Sequence, residues 1–406
     1  MIQHFYIYFK EILKEGDFLP LAGIVAEFNP FHNGHKYLID YAKRDGCDVA
    51  VVISSNFVQR GDVAIIPKYK RALTAISNGA DIVAELPVAW SMSTAQNFAL
   101  GALSQLIALG INTLYFGSES ADTVLLNKVA DILISDEYQE RIKQNLSTNE
   151  TFAKIRRDIV CEILGFDTNL LDNPNDTLAV EYICAAKKLG ASIKFKAVKR
   201  VGAQHNSIYE ENDFSTATLL RKAVANKNIE YLRRYMPTSA VDILLSSPTA
   251  NIEKIDSAII SSVKKLSPKE LSILPDVGEG LHNLIYNSAR ECHSFSALCN
   301  MVKTKRYTHA RIRRILLCAY LGIDNSFFLK EPPYVKILAV KEGASKYLKN
   351  NAEKQIIIRV SQLDLSNEFV KLVFVTENRS NELYALSLDK PDYFINECKE
   401  KLIKLK

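Results

Sequence analysis

Gly23-Ile24-Val25-Ala26-Glu27-Phe28-Asn29-Pro30-Phe31-His32-Asn33-Gly34-His35 is the stretch on which the reading of this chain turns. Ala22 to Glu27 is a short, mostly apolar run, read as a buried strand. Lys36 to Lys43 follows, with Tyr37, Leu38 and Tyr41 at helical spacing. Between strand and helix lies a turn in which Pro30 restricts the backbone and Gly34 carries no Cβ. A phosphate can therefore approach the main chain there. The helix that begins at the turn aims its N–H groups, and the positive end of its dipole, at such an anion. His32 and His35 can then donate to phosphate oxygens as negative charge builds in a transition state. A metal pair is the weaker reading, because HxGH lacks the i, i+4 spacing of helical zinc ligands and no third ligand stands nearby.

Working outward, Asp48 to Ser54, Asp81 to Glu85 and Thr113 to Phe116 read as further strands. They alternate with helical segments at Arg71 to Asn78 and at Ala95 to Leu109, the latter ending at Gly110. Strands alternating with helices at this spacing predict an α/β fold, a Rossmann-like doubly wound parallel sheet. Ligands of such sheets lie beyond the carboxyl ends of the strands. Helical patterns follow from Asp122 to about Gln144 and from Glu150 to Leu164. Asn173-Pro174-Asn175-Asp176 then reads as a turn before a helix from Thr177 to Leu189, and Ser192 to Val198 as another strand. A helix begins near Ser215, and Ile252 to Leu321 reads as helices only. The tail returns to strand character at Val335 to Val340, Gln355 to Val360 and Val370 to Val375. The expected organisation is an N-terminal extension (1–20), a nucleotide-binding domain (21–245), an α-helical domain (246–330) and a small mixed α/β tail (331–406).

The bulk properties fit a globular protein of more than one domain: 406 residues, 48% hydrophobic and 24% charged. A net charge of +5 does not by itself argue for nucleic acid, so the placement of the basic residues matters. Seven cysteines without a CxxC predict reduced, mostly buried thiols in a cytoplasmic protein rather than a zinc site or disulfide framework. No apolar run is long enough to span a bilayer. In the extension, Ile2, Phe5, Tyr6, Phe9, Ile12 and Leu13 lie at helical spacing among charges. This is an amphipathic helix, not a signal peptide. It reads as an added helix packed on the core, as an upstream extension of a gene that starts near Leu21, or as a membrane-surface or partner-binding helix.

The glycine-and-histidine segment resembles that of the nucleotidyltransferase superfamily related to class I aminoacyl-tRNA synthetases. The fuller string from Gly23 to His35 resembles one family within it, the tRNA(Met) cytidine acetate ligases. Ser55-Asn56-Phe57-Val58-Gln59-Arg60-Gly61, Ala84-Glu85-Leu86-Pro87, Phe116-Gly117-Ser118-Glu119, Lys199-Arg200-Val201-Gly202-Ala203 and Lys303-Thr304-Lys305-Arg306-Tyr307-Thr308 agree with it in order. The resemblance implies that ATP and acetate give acetyl-adenylate and pyrophosphate, and that the acetyl group passes to the wobble cytidine of elongator tRNA(Met) as N4-acetylcytidine. It implies an ATP-binding segment from Val25 to Leu38, further ATP contacts at Gly117, Asn175 and Arg200, and Mg²⁺ with the phosphates. No metal site in the protein itself is expected. A small-molecule adenylyl- or cytidylyltransferase of the same superfamily is the alternative, and a non-catalytic RNA-binding descendant a second one.

These residues suit the work on their own chemistry. Gly117 ends a strand, where a ring or ribose can rest on bare backbone. Arg200 ends another and can clamp phosphate, or it is a solvated neighbour of Lys199. Asn175 can contact the nucleotide, or it belongs to an ordinary helix cap. Thr216-Ala217-Thr218-Leu219-Leu220-Arg221 resembles the second superfamily motif, with Thr218 and Arg221 as candidate phosphate ligands; an N-cap with a surface Arg reads equally well. No KMSKS string occurs, so the likeness to synthetases covers the superfamily fold only. Met301 to Arg314 carries Lys303, Lys305, Arg306, Arg311, Arg313 and Arg314 with Tyr307 and His309 between them and no acid. It reads as a basic helix for tRNA phosphates and a stacked base, with Lys303, Lys305, Arg306, Arg311 and Arg314 as the contacts.

Overall fold

The computed structural model describes residues 19–145, 150–200, 214–278, 280–348, 354–390, 392–393 and 395–406. The amphipathic segment before residue 19 and the Val201-Gly202-Ala203 string lie outside the described residues.

Five strands, β1 (Leu21–Ala26), β2 (Asp48–Ser54), β3 (Ile82–Leu86), β4 (Thr113–Ser118) and β5 (Lys194–Lys199), form a parallel sheet in the order β3-β2-β1-β4-β5. The chain winds outward from β1 to β3, then crosses back to lay β4 on the other side of β1. That reversal opens a crevice at the carboxyl ends of β1 and β4. DVAVVIS in β2 is buried in every residue but its first, and IVAEL in β3 throughout, because helices cover both faces. KFKAVK in β5 alternates between exposed and partly buried positions, as an edge strand can.

Helix α1 (Asn33–Arg44) starts three residues before its apolar spacing begins, because His32 caps it. Helices α2 (Lys68–Ser77) and α3 (Ala95–Ala108) follow, and Gly110 closes the latter's turn at φ +82°. The stretch expected as one helix from Asp122 is two, Thr123–Ile134 and Asp136–Asn145, broken at an extended Ser135. Helix α4 (Pro174–Lys188) starts at its proline, the position where a missing N–H costs least. Asn175 and Asp176 therefore stand in its first turn, not in a turn before it. Helix α5 (Ala217–Ala225) opens a run of helices that ends with α6 (His309–Leu321).

The residues after 331 are mixed α/β, and they complete the first domain's sheet. Strand β6 (Tyr334–Lys341) pairs antiparallel with β3, and β7 (Gln355–Ile357) and β8 (Ile403–Leu405) pair parallel with β6. Val370 to Val375, read as a strand, lies instead within helix α7 (Glu368–Ala385). Asn367 Oδ1 accepts from the N–H groups of Phe369 and Val370 and starts the helix. Its buried side chains, Val370, Val373, Glu377, Ser380 and Tyr384, recur every three or four residues. A six-residue apolar window is too short to show that period.

A buried charge cluster ties this last segment to the sheet. Lys68 of α2 pairs with Glu85 of β3, Glu377 of α7 and Glu397, and Lys336 of β6 pairs with Glu85 and Glu397. Burial, and then the charge of Glu377, push the Glu85 carboxyl up to about 7. Removing one partner of such a cluster leaves an uncompensated buried charge, at a cost of about 3–5 kcal/mol.

Candidate active site

The turn after β1 is built before any ligand arrives. Phe28 adopts φ +49°, and the Asn29–Pro30 bond is cis. Asn29 Oδ1 accepts from the Ile65 N–H at 2.8 Å, and its carbonyl accepts from Arg221 at 2.8 Å. Phe31 is buried and packs on Phe28 with ring centroids 4.8 Å apart. The chain thus leaves the turn at a fixed angle, and His32 becomes the N-cap of α1.

The two histidines cap the helix reciprocally. His32 Nδ1 accepts from the Gly34 N–H at 3.1 Å, and His35 Nδ1 accepts from the His32 N–H at 3.2 Å. Their rings stack at 3.7 Å with 19° between planes. A ring nitrogen that accepts carries no proton, so each neutral imidazole holds its proton on Nε2. Burial and then the Arg200 charge depress His32 to about 3. Burial, His32 and Arg200 depress His35 well below the ordinary histidine range. Both side chains are neutral N–H donors at physiological pH. Gly34 has a further duty here: a Cβ on it would stand 3.0 Å from His32 Cε1 and 3.1 Å from Nδ1.

A cleft opens above this pair at the β1/β4 reversal. Its lining includes Val25, Ala26, Phe28, His32, Gly34, His35, Tyr37, Leu38, Gly117, Asn175 and Arg200, all expected from the sequence. They come from the ends of β1, β4 and β5, the turn after β1, the first two turns of α1 and the first turn of α4. Ser215, beside the second motif, lines it too; Phe116, Leu178, Tyr182, Val198, Lys199 and Phe214 also line it, and sequence reasoning did not assign these six to the nucleotide. Leu178 and Tyr182 read as helix core. Phe214 meets Tyr37 edge-on at 6.0 Å, a contact no local pattern signals.

Several of the residues expected to contact ATP brace the scaffold in this structure. Glu27, Asn29, Pro30, Phe31, Asn33 and Lys36 are not among the lining residues. Glu27 Oε1 accepts from the Gln59 N–H at 3.0 Å, Asn33 donates to the Arg234 carbonyl at 3.2 Å, and Lys36 pairs with Asp40. Thr218 and Arg221 stand outside the lining as well: Arg221 reaches back to the Asn29 carbonyl and, at 3.3 Å, to the Thr218 hydroxyl. Thr216 is the N-cap of α5, so the capping reading holds there.

The run from Lys303 to Arg314 is not one basic helix. Lys303, Lys305 and Arg306 are exposed on the segment between helix Phe295–Val302 and α6. Arg311 and Arg314 turn inward to Asp276, at 3.4 Å and 2.7 Å, and Arg314 also donates to the Gln59 carbonyl. Arg313 pairs with Asp62 at 2.9 Å and donates to the Gly61 carbonyl. Tyr307 is buried, with the Arg311 guanidinium 5.0 Å from its ring centre, so it offers no open face to a base. Gly61 lies so close to α6 that a Cβ would stand 2.6 Å from Arg313 Cβ. Arg313 and Arg314 thus fasten α6 to residues 59–62, while Arg311 ties it to Asp276 among the helices.

Five of the cysteines are buried besides the partly buried Cys161 and the exposed Cys398, and all seven are free thiols. Among the described residues no helix is long and apolar enough to cross a membrane.

The comparisons with known proteins agree with this geometry. The family model of the HIGH nucleotidyl transferases matches residues 20–397. The tRNA(Met) cytidine acetate ligase of Thermoanaerobacter sp. (strain X514) is 37% identical over 379 residues, covering 88% of this chain and 94% of the relative. That of Caldanaerobacter subterraneus subsp. tengcongensis is 36% identical, covering 92% and 98%. Thermotoga maritima TmcAL bound with alpha-thio ATP superposes with a TM-score of 0.86 at 28% identity, covering 95% of this chain and 100% of that one. The chain belongs to the HIGH nucleotidyltransferases and, within them, to the tRNA(Met) cytidine acetate ligase family.

Proposed function

We propose that this chain uses ATP to activate acetate as acetyl-adenylate and transfers the acetyl group to N4 of the wobble cytidine in elongator tRNA(Met). The observation that carries the reading is the stacked histidine pair at the α1 N-terminus. It offers two neutral Nε2–H donors under the crevice where the sheet reverses. The acetate oxygen attacks the α-phosphorus, and the bond to the bridging oxygen of pyrophosphate breaks. His32, His35, the α1 N–H groups and Arg200 donate to oxygens whose charge grows in that step. The cytidine N4 then attacks the acetyl carbonyl carbon, AMP leaves with the bonding pair, and N4 gives up a proton.

Mg²⁺ belongs to this proposal as a companion of the triphosphate. Among the described residues no Asp or Glu lines the cleft. The buried trio Glu85, Glu377 and Glu397 is close enough to hold an ion, but Lys68 and Lys336 already pair with these carboxylates. Transfer RNA would meet Lys303, Lys305 and Arg306, in a helical region running from about residue 246 to 330. Arg311 and Arg314 would hold that surface in place. A cytoplasmic setting, where tRNA, ATP and reduced thiols coexist, goes with this reading.

The test is to incubate the protein with ATP, labelled acetate and elongator tRNA(Met), then digest the RNA to nucleosides. Label in N4-acetylcytidine, dependent on ATP and accompanied by pyrophosphate, is the expected result. Label on a small molecule with the tRNA untouched would contradict it.

A further inference from the structure

Asn175 lines the cleft from the first turn of α4, and its amide has one way round. Its Nδ2 donates to Glu119 Oε1, a carboxylate oxygen that can only accept. Glu119 is itself fixed by α4. Its Oε1 takes the Asn175 N–H at 3.4 Å, and its Oε2 the Asp176 N–H at 2.9 Å. Asp176 returns the contact. It is fully buried and accepts from the Ser118 hydroxyl and from the N–H groups of Glu119 and Ser120, each at 3.0 Å for the backbone bonds. Two carboxylates therefore lock the segment after β4 to the start of α4, each satisfying the other's backbone. The acceptor that Asn175 has left for a ligand is Oδ1, while its second Nδ2 hydrogen stays at the Glu119 end of the amide.

The surroundings say what kind of ligand group that acceptor meets. Leu178 and Tyr182 lie three and seven residues further along α4, on the same helix face, and also line the cleft. Phe116 and Val198 add apolar surface from the ends of β4 and β5. The phosphate-binding end, with its histidines and helix N-terminus, belongs to α1. An apolar wall with one oriented acceptor suits a flat base carrying an amine better than a ribose, whose hydroxyls would need several polar partners.

We propose that Glu119 is a positioning residue for base selection. It holds Asn175 with Oδ1 toward the cleft, where that oxygen accepts from the exocyclic amine of adenine and opposes a purine bearing a carbonyl at the same place. This inference rests on ATP being the nucleotide used. Its logic is that two acceptors facing each other in a dry site leave both unsatisfied. Replacing Glu119 by Gln keeps an oxygen for the α4 N–H groups and adds a donor. Asn175 can then turn over and offer Nδ2 to the carbonyl purine.

The experiment is to measure binding of ATP, ITP and 2′-deoxy-ATP by calorimetry to the wild-type chain, Glu119→Gln and Asn175→Ala, with each variant's melting temperature recorded. The wild type should prefer ATP to ITP by about tenfold or more, an acceptor-against-acceptor penalty. In Glu119→Gln that ratio should fall at least about fivefold while the ATP to 2′-deoxy-ATP ratio holds, and Asn175→Ala should lose the same discrimination with Glu119 in place. A uniform loss of affinity for all three nucleotides in Glu119→Gln would overturn the proposal and leave Glu119 a helix cap only. A change confined to the 2′-deoxy-ATP ratio would overturn it too, by assigning Oδ1 to the ribose. Because binding is the readout, a failure of acetate activation in the wild type would count against the proposed reaction and not against this assignment.

Discussion

The turn at residues 28–35 and the run at residues 303–314 both gather side chains suited to phosphate, yet the fold uses them differently. In the turn, every capping partner of the two histidines lies within three residues. In the basic run, the partners of Arg311, Arg313 and Arg314 come from residues 59–62 and 276, far away in sequence. A short-range constellation keeps its chemistry because its own strand, turn and helix build it. In a charge run, groups far away in sequence claim some of the charges, and a net count within the run cannot reveal which those are.

The comparison breaks most directly at the histidines. His32→Ala and His35→Ala should each slow acetate-dependent ATP–pyrophosphate exchange by about 10²–10³-fold, the usual effect of losing a preorganised donor. ATP affinity should change by less than about tenfold, because the donors act mainly on charge that develops in the transition state. Wild-type exchange rates in both variants would remove the histidines from the chemistry.

The same pair sets a pH dependence. The His32 imidazole falls to about 3 in the folded chain, below its ordinary 6.5, so the unfolded chain binds more protons between those values. Stability is therefore full above about pH 6.5 and declines as pH falls, by about 3 kcal/mol from His32 alone at pH 4. Denaturant titrations from pH 8 to pH 4 should show that slope, and His32→Asn should flatten it. Ring-proton shifts of both histidines should show no inflection between pH 5 and pH 8 in the ligand-free protein.

Arg314 and Lys305 sharpen the other side. Arg314→Ala removes the closer of the two arginines on Asp276, leaving only Arg311, and the donor to the Gln59 carbonyl, and should cost about 1–2 kcal/mol in denaturant unfolding. Lys305→Ala, at an exposed position, should stay within about 0.5 kcal/mol of wild type. Equal costs would mean that the run is uniform after all. Between these two in stability, but larger than either in its effect on activity, is Gly34→Ala. Its Cβ pushes against the His32 ring, so a loss of about 1 kcal/mol should accompany a drop in kcat of about tenfold.

Much of this architecture was legible in the residues. Apolar runs bounded by turns located β1 to β4, and the cleft sits beyond their ends, where Gly117, Asn175 and Arg200 converge with the histidines. What stayed hidden depends on tertiary partners. Val370 to Val375 looks like a strand until the heptad-scale spacing of Glu377, Ser380 and Tyr384 is added. Nothing local tells Lys68 that Glu377 and Glu397 will meet it, or marks β6 as the strand that extends the sheet past β3. Arg221 looks like a phosphate ligand by pattern, and only the fold shows it holding the Asn29 carbonyl. Tyr182 and Leu178 look like helix core, and they become cleft wall because α4 starts at Pro174 beside the end of β4.

The central claim is that the two regions serve separate half-reactions. The variant Lys303→Ala/Lys305→Ala/Arg306→Ala tests it, with acetate-dependent pyrophosphate exchange measured without tRNA beside acetyl transfer to elongator tRNA(Met). Exchange should stay within about twofold of wild type. Transfer should fall tenfold or more, and the salt dependence of tRNA binding should become shallower by about two units. Exchange and transfer falling together, or transfer continuing undiminished, would contradict the account.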